Sequence, residues 1–209
     1  SCASILAVVV HDGAGARVGC GVIGGAFGVV SAEVVSAAYP GYSGANNVKV
    51  VASMRDEGAS LRIQAYLSGL EPSATGGIHV HSGFTCSSDG AVTGGHYVGG
   101  LPADPWTTTY TSDASGAAFV DLTVADFSLE GTRPVAGRTL VVHLSGGTRA
   151  ACGIITPSLG EVASIGTYPG LTGPARGMVL VHPTSTGIHL TGLLTGLEAS
   201  ASGGYHVHR

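Results

Sequence analysis

His79 and His81 stand two positions apart in GGIHVHSG, His96 follows fifteen positions later in TGGHY, and His143 ends GRTLVVH. Four imidazoles make a nitrogen-rich donor set, and Cu(II) favours such a tetragonal arrangement. On a strand, side chains at i and i+2 share a face, so His79 and His81 aim two rings at one point. An HxH pair also occurs on solvated strands; His96 and His143 make this pair a candidate copper centre.

The elements that must position these residues read as β throughout. Leu61, Ile63, Ala65 and Leu67 alternate with Arg62, Gln64, Tyr66 and Ser68, the period of a half-buried strand. The stretches 49–54, 117–124 and 138–143 behave similarly, with turn clusters such as SDASG and GTRPVAG between strands. No segment sustains a 3.6-residue period. Short strands with Gly, Pro and Ser turns predict a sandwich or barrel.

Composition narrows the function classes. The chain is 44% hydrophobic and 11% charged, with 35 glycines in 209 residues, which suits a core and many tight turns. The net charge is −4 and the basic residues, Lys49 and the scattered arginines, form no cluster, so nucleic acid and anionic membranes are not expected partners. The strongest apolar run, Ile5 to Val10, is strand-sized and no membrane span is expected. The first residues, SCASILAVVVHDG, lack the basic start of a signal peptide. Cys2, Cys20, Cys86 and Cys152 show no CxxC spacing, which points away from a zinc ribbon and toward an oxidising compartment: a mature product, secreted or at the cell surface.

GGIHVHSG, Cys86, GGHY, GRTLVVH and GTRAACGII resemble, in that order, the signature segments of the copper/zinc superoxide dismutases. The likeness runs from about Glu33 to Ile155 and is most specific in SGLEPSATGGIHVH and GRTLVVH. It implies a flattened Greek-key β-sandwich spanning Ala32 to Thr156, with His79, His81, His96 and His143 as copper ligands. It further implies a Cys86–Cys152 disulfide, and Arg149 as the guanidinium that stands over the copper and guides the superoxide anion. The plain alternatives are two buried thiols and a surface arginine at a strand end.

The chain departs from the family pattern in two places. Zinc-containing members carry further histidines and an aspartate after the third copper ligand, but Tyr97 to Thr111 contains no histidine. A closed zinc site needs about four ligands, and His96 with Asp104 supplies two, so one copper and no zinc are expected in the middle of the chain. Between His143 and Cys152, where the family has a long charged loop, this chain has only LSGGTRAA. Both departures resemble the copper-only branch. Without zinc, His96, the proton-handling ligand by resemblance, needs another partner to fix its tautomer. Asp104 is the first candidate, with Asp113 and Glu130 behind it; each is also readable as a solvated loop acid.

Internal repeats organise the rest. VVVHDGAGARVGCGVI matches VVHLSGGTRAACGII, placing His11, Arg17 and Cys20 over His143, Arg149 and Cys152 at a spacing of 132. YPG recurs at Tyr39 and Tyr168, and GLEPSATGGIHVH recurs as GLEASASGGYHVH, placing His79 and His81 over His206 and His208 at a spacing of 127. The resulting division is the end of one repeat (1–30), a complete superoxide dismutase-like domain (31–156) and the start of another repeat (157–209). On this reading His11 belongs to a preceding metal site, and His206 and His208 to a following one. The two end pieces are expected to pack as partial sandwiches against neighbouring repeats or like chains rather than pair with each other into a second working site. Cys20 would pair with an upstream cysteine, or with Cys2. His182 and His189 match no ligand position and read as surface or edge-strand residues; Trp106 reads as a core or loop anchor.

Two function classes follow. One is an extracellular copper-dependent superoxide dismutase, built as tandem repeats, that converts superoxide to O₂ and H₂O₂ with Arg149 and His96 as its catalytic residues. The other is a structural cell-surface or fibre protein that stacks dismutase-like sandwiches, copper retained or incidental. Fold alone does not separate them.

Overall fold

The computed structural model describes residues 6–25, 29–87 and 93–209. Its strands are β1 (Ala7–His11), β2 (Arg17–Val22), β3 (Val29–Val35), β4 (Ala37–Ala38), β5 (Lys49–Glu57), β6 (Ser60–Ser68), β7 (Thr75–His81), β8 (Thr109–Thr111), β9 (Ala118–Ala125), β10 (Thr139–His143), β11 (Arg149–Ile154), β12 (Thr156–Thr167), β13 (Arg176–Thr184), β14 (Gly187–Thr195) and β15 (Tyr205–His208). The chain divides into two compact units, residues 31–158 and residues 1–30 with 159–209. Among the described residues no helix is long and apolar enough to cross a membrane.

The 31–158 unit is an antiparallel two-sheet sandwich. One sheet runs β3-β5-β6-β9 and the other β4-β11-β10-β7-β8. Pairing of β6 with β9, and of β7 with β10, spans connections that leave a sheet and return, the Greek-key pattern. The expected alternation is only partly realised: Gln64 and Tyr66, on the face read as polar, are buried too, at 3% exposure each. Leu61, Ile63, Ala65 and Leu67 are buried, and together with Val50, Ala52 and Met54 they face Ile78, Val80, Leu140 and Val142 of the opposite sheet. Because strand side chains alternate, the residues between them on β7 and β10, His79, His81 and Val141, point away from this core. Val141 joins a second apolar cluster there with Tyr39 and Cys152. Trp106 is an anchor of the main core, 2% exposed, its indole N–H donating to the Tyr97 carbonyl at 2.7 Å.

The remaining unit corrects one expectation. The chain ends do pair with each other: β1 and β15 form an antiparallel ladder, with Val9 opposite His206 and Ala7 opposite His208. The order is β15-β1-β2-β12-β13-β14, and its own core holds Val8, Val10, Ala163, Ile165, Val179 and Val181. The register repeats that of the other unit, where Val141 faces His79 and Thr139 faces His81. A register shift precedes His11 on β1 as it precedes His143 on β10. The physical reason is complementarity: β1 offers a buried apolar edge with unsatisfied backbone groups, and β15 carries the sequence that satisfies such an edge in the homologous position. A second correction concerns His182. It is 8% exposed in β13, its ring bonded to the Leu159 carbonyl, rather than a surface residue. His189, on β14, is exposed.

Candidate metal centre

Two strands and one bridge bring the four histidines together. β7 presents His79 and His81 on its outer face, β10 ends at His143, and His96 reaches the site through an isolated bridge to His81. Each offers one nitrogen to a group whose members all lie within 4.8 Å of one another. Close approach of strands depends on Gly76, where a Cβ would come 2.3 Å from the His143 carbonyl oxygen and 2.4 Å from the Tyr110 hydroxyl. That hydroxyl donates to the same carbonyl at 2.9 Å, so the backbone behind His143 is held from two sides.

In every ring, the nitrogen away from the centre is tied to a protein oxygen. His79 donates from Nε2 to the Thr108 carbonyl at 3.0 Å, His81 from Nδ1 to Gly94 at 2.9 Å, and His143 from Nδ1 to Gly147 at 3.0 Å. His96 Nδ1 meets Asp104 Oδ2 at 2.6 Å. Carbonyl oxygens only accept, so the bonds of His79, His81 and His143 put a proton on the outward nitrogen, and the neutral ring then has its lone pair on the inward one. His79 Nδ1 is buried with no hydrogen-bond partner. Burial pushes His79 down to about 4, with His96 and His143 adding to the shift, and pushes His81 down to about 3. His143 is also lowered, by burial first. Neutral imidazoles with inward lone pairs are what a transition-metal cation requires, and the donor set therefore fits copper.

Asp104 is placed where the sequence suggested. Burial raises its carboxyl pKa, but the Trp106 N–H, at 2.9 Å, and His96 together outweigh this and hold it below the usual carboxylate range. Asp113 and Glu130 do not share this role. Asp113 caps its own turn through Ser115 and Ala117, and Glu130 lies beside Ser31, Asp56 and Pro157. Arg149 is opposite His143 in the β10–β11 ladder and near enough to His81 and His143 to lower both. Cys86 and Cys152 form a disulfide that ties the segment after β7 to β11. Closing a loop of that length contributes roughly 4 kcal/mol. Cys20 is disulfide-bonded too, while Cys2 lies outside the described residues.

Several residues that shape the site were not singled out from the sequence. Arg149 donates to the Tyr39 hydroxyl at 2.8 Å and to Thr93 at 3.0 Å, and Tyr39 and Thr93 bond each other. The recurrence of YPG was a signal for Tyr39; nothing marked Thr93. Arg138 stacks over Tyr97 at 3.4 Å and donates to the Ser82 carbonyl at 2.6 Å, tying the residue after His81 to the residue after His96. His11, His206 and His208, read from the sequence as parts of different sites, form one cluster in the other unit.

The profile of the family described as "Copper/zinc superoxide dismutase (SODC)" matches residues 47–155, just over half of the chain. None of the curated proteins matches. Among solved structures, one titled "Crystal Structure Analysis of the clock protein EA4" is similar at 21% identity and a TM-score of 0.49, covering 61% of this chain and 94% of that one. The match contains all four histidines, Arg149 and both cysteines of the disulfide, and the chain belongs to the copper/zinc superoxide dismutase family.

Proposed function

We propose that the 31–158 unit is a copper-dependent, zinc-free superoxide dismutase centre. The observation that carries this reading is the four-imidazole set in which every outward nitrogen is spent on a protein oxygen. His79 through Nδ1, and His81, His96 and His143 through Nε2, would hold the ion. Copper bound there supplies the one-electron couple by which one superoxide is oxidised to O₂ and another reduced toward H₂O₂. Arg149, fixed by Tyr39 and Thr93, draws the small anion toward the open side of the site. Asp104 holds the Nδ1 proton of His96 and keeps its Nε2 directed inward, so this ring is positioned to take and give a proton there. Occupation of Nδ1 by Asp104, together with the lack of histidine from Tyr97 to Thr111, supports the zinc-free assignment and the copper-only branch.

Disulfides support an extracellular location. The matching register of the two units supports a protein built from tandem dismutase-like repeats, and such an array could also serve as a cell-surface or fibre scaffold joined to like chains. A superoxide dismutation assay on metal-free, copper-loaded and zinc-loaded protein separates the readings. Activity is expected with copper alone; a copper-loaded chain no faster than the metal-free one would leave the scaffold reading.

A further inference from the structure

The unit formed by the chain ends repeats the geometry of the centre with three ligands. His11 is equivalent to His143 and donates from Nδ1 to the Gly15 carbonyl at 2.9 Å, as His143 does to Gly147 at 3.0 Å. Its Nε2 is buried with no hydrogen-bond partner. The ring lies 5.1 Å from His206 and 5.7 Å from His208, centroid to centroid, and the nitrogens of the three lie within 4.8 Å of one another.

The surroundings repeat as well. Arg17 donates to the Tyr168 hydroxyl at 2.9 Å, matching the Arg149–Tyr39 bond. The Glu198 carboxylate accepts from the Gly13 N–H at 2.9 Å, as Glu71 accepts from Ser145 at 2.7 Å. Gly203 lets β15 approach the His11 carbonyl as Gly76 does for His143, a Cβ there coming within 2.1 Å of that oxygen.

We propose that His11, His206 and His208 form a second metal site, which takes one imidazole-seeking first-row transition-metal ion, copper ahead of zinc. Copper leads because nitrogen donors bind it more tightly in the general order of divalent ions. Among the described residues the cluster consists of these three histidines. It stands independently of the function proposed for the other unit.

Copper alone, added to the full chain and followed by removal of excess, tests this by elemental analysis. The wild type is expected to retain two copper ions per chain, His206→Ala one, and His143→Ala one. His206 is exposed, so its loss spares the core, and His11→Gln on the partner strand must lose the same equivalent. One copper per chain, unaffected by His206→Ala and His11→Gln, would overturn the second site and leave the first standing. One copper lost with His206→Ala but kept with His143→Ala would uphold the second site and remove the first.

Discussion

The Nε2 atoms of His81 and His143 lie 3.1 Å apart, although both rings already spend their Nδ1 protons on carbonyl oxygens. Neutral rings in these tautomers face each other lone pair to lone pair, a contact that is relieved only by a cation or a shared proton between them. Burial disfavours the proton on both rings, which leaves a metal ion as the natural occupant.

Asp104→Asn keeps an oxygen for the Trp106 N–H but removes the charge facing His96. Copper affinity or dismutation should fall about 10–100-fold, as when other outer partners of ligating histidines are changed. Unchanged affinity and turnover, in a variant with wild-type thermal stability, would show that Asp104 is only a loop acid.

Arg149→Gln should slow dismutation roughly tenfold or more and flatten its dependence on ionic strength, since steering by charge is what is lost. Tyr39→Phe removes only the bond that orients the guanidinium, so a smaller loss with the salt dependence retained is expected. Equal salt profiles for wild type and Arg149→Gln would rule out steering by this residue.

The metal-free protein should lose stability as pH falls from about 6.5 toward 4. His79 and His81 stand at about 4 and about 3 when folded, against about 6.5 unfolded, so the unfolded chain takes up protons first. Their contribution is intact above 6.5 and declines through this window. Thermal unfolding in chelator at pH 7.5, 6 and 5 reads it, above the range where carboxylates titrate. A midpoint that stays level across those three values contradicts the burial of neutral imidazoles.

Gly76→Ala should destabilise the 31–158 unit by about 1–3 kcal/mol, because the new methyl has backbone and a fixed phenol in its way. Denaturant unfolding checks this. A neutral effect would mean that β7 and the His143 backbone are not held as closely as described.

How much of this was legible depended on whether the signal lies in side-chain types. Alternation in Leu61 to Leu67 revealed β6 and its buried face, and the HVH pair announced a shared face on β7. The carbonyls of Thr108, Gly94 and Gly147 that fix the tautomers carry no residue signature, since any residue supplies one. Asp104 was legible because only a few acids follow His96; Thr93 was not, because its role depends on where the loop after His81 returns. The meeting of β1 with β15 escaped the sequence reading for a related reason. The repeat exposed the homologous register, but whether an edge pairs with its own chain is decided by long-range closure, not by local pattern. His182 was misread because its strand, β13, pairs on both sides.

The most direct test is the rate of superoxide dismutation per bound copper, measured with copper content on the same samples of wild type and His79→Ala. His79 is the ligand whose Nδ1 is buried and unpartnered, so its loss opens the four-nitrogen set. Rapid turnover is expected in copper-loaded wild type, abolished by chelation, restored by copper and not by zinc, and lost with the central copper in His79→Ala. Equal turnover per copper in His79→Ala and wild type, or a copper-loaded wild type no faster than free copper, would contradict this.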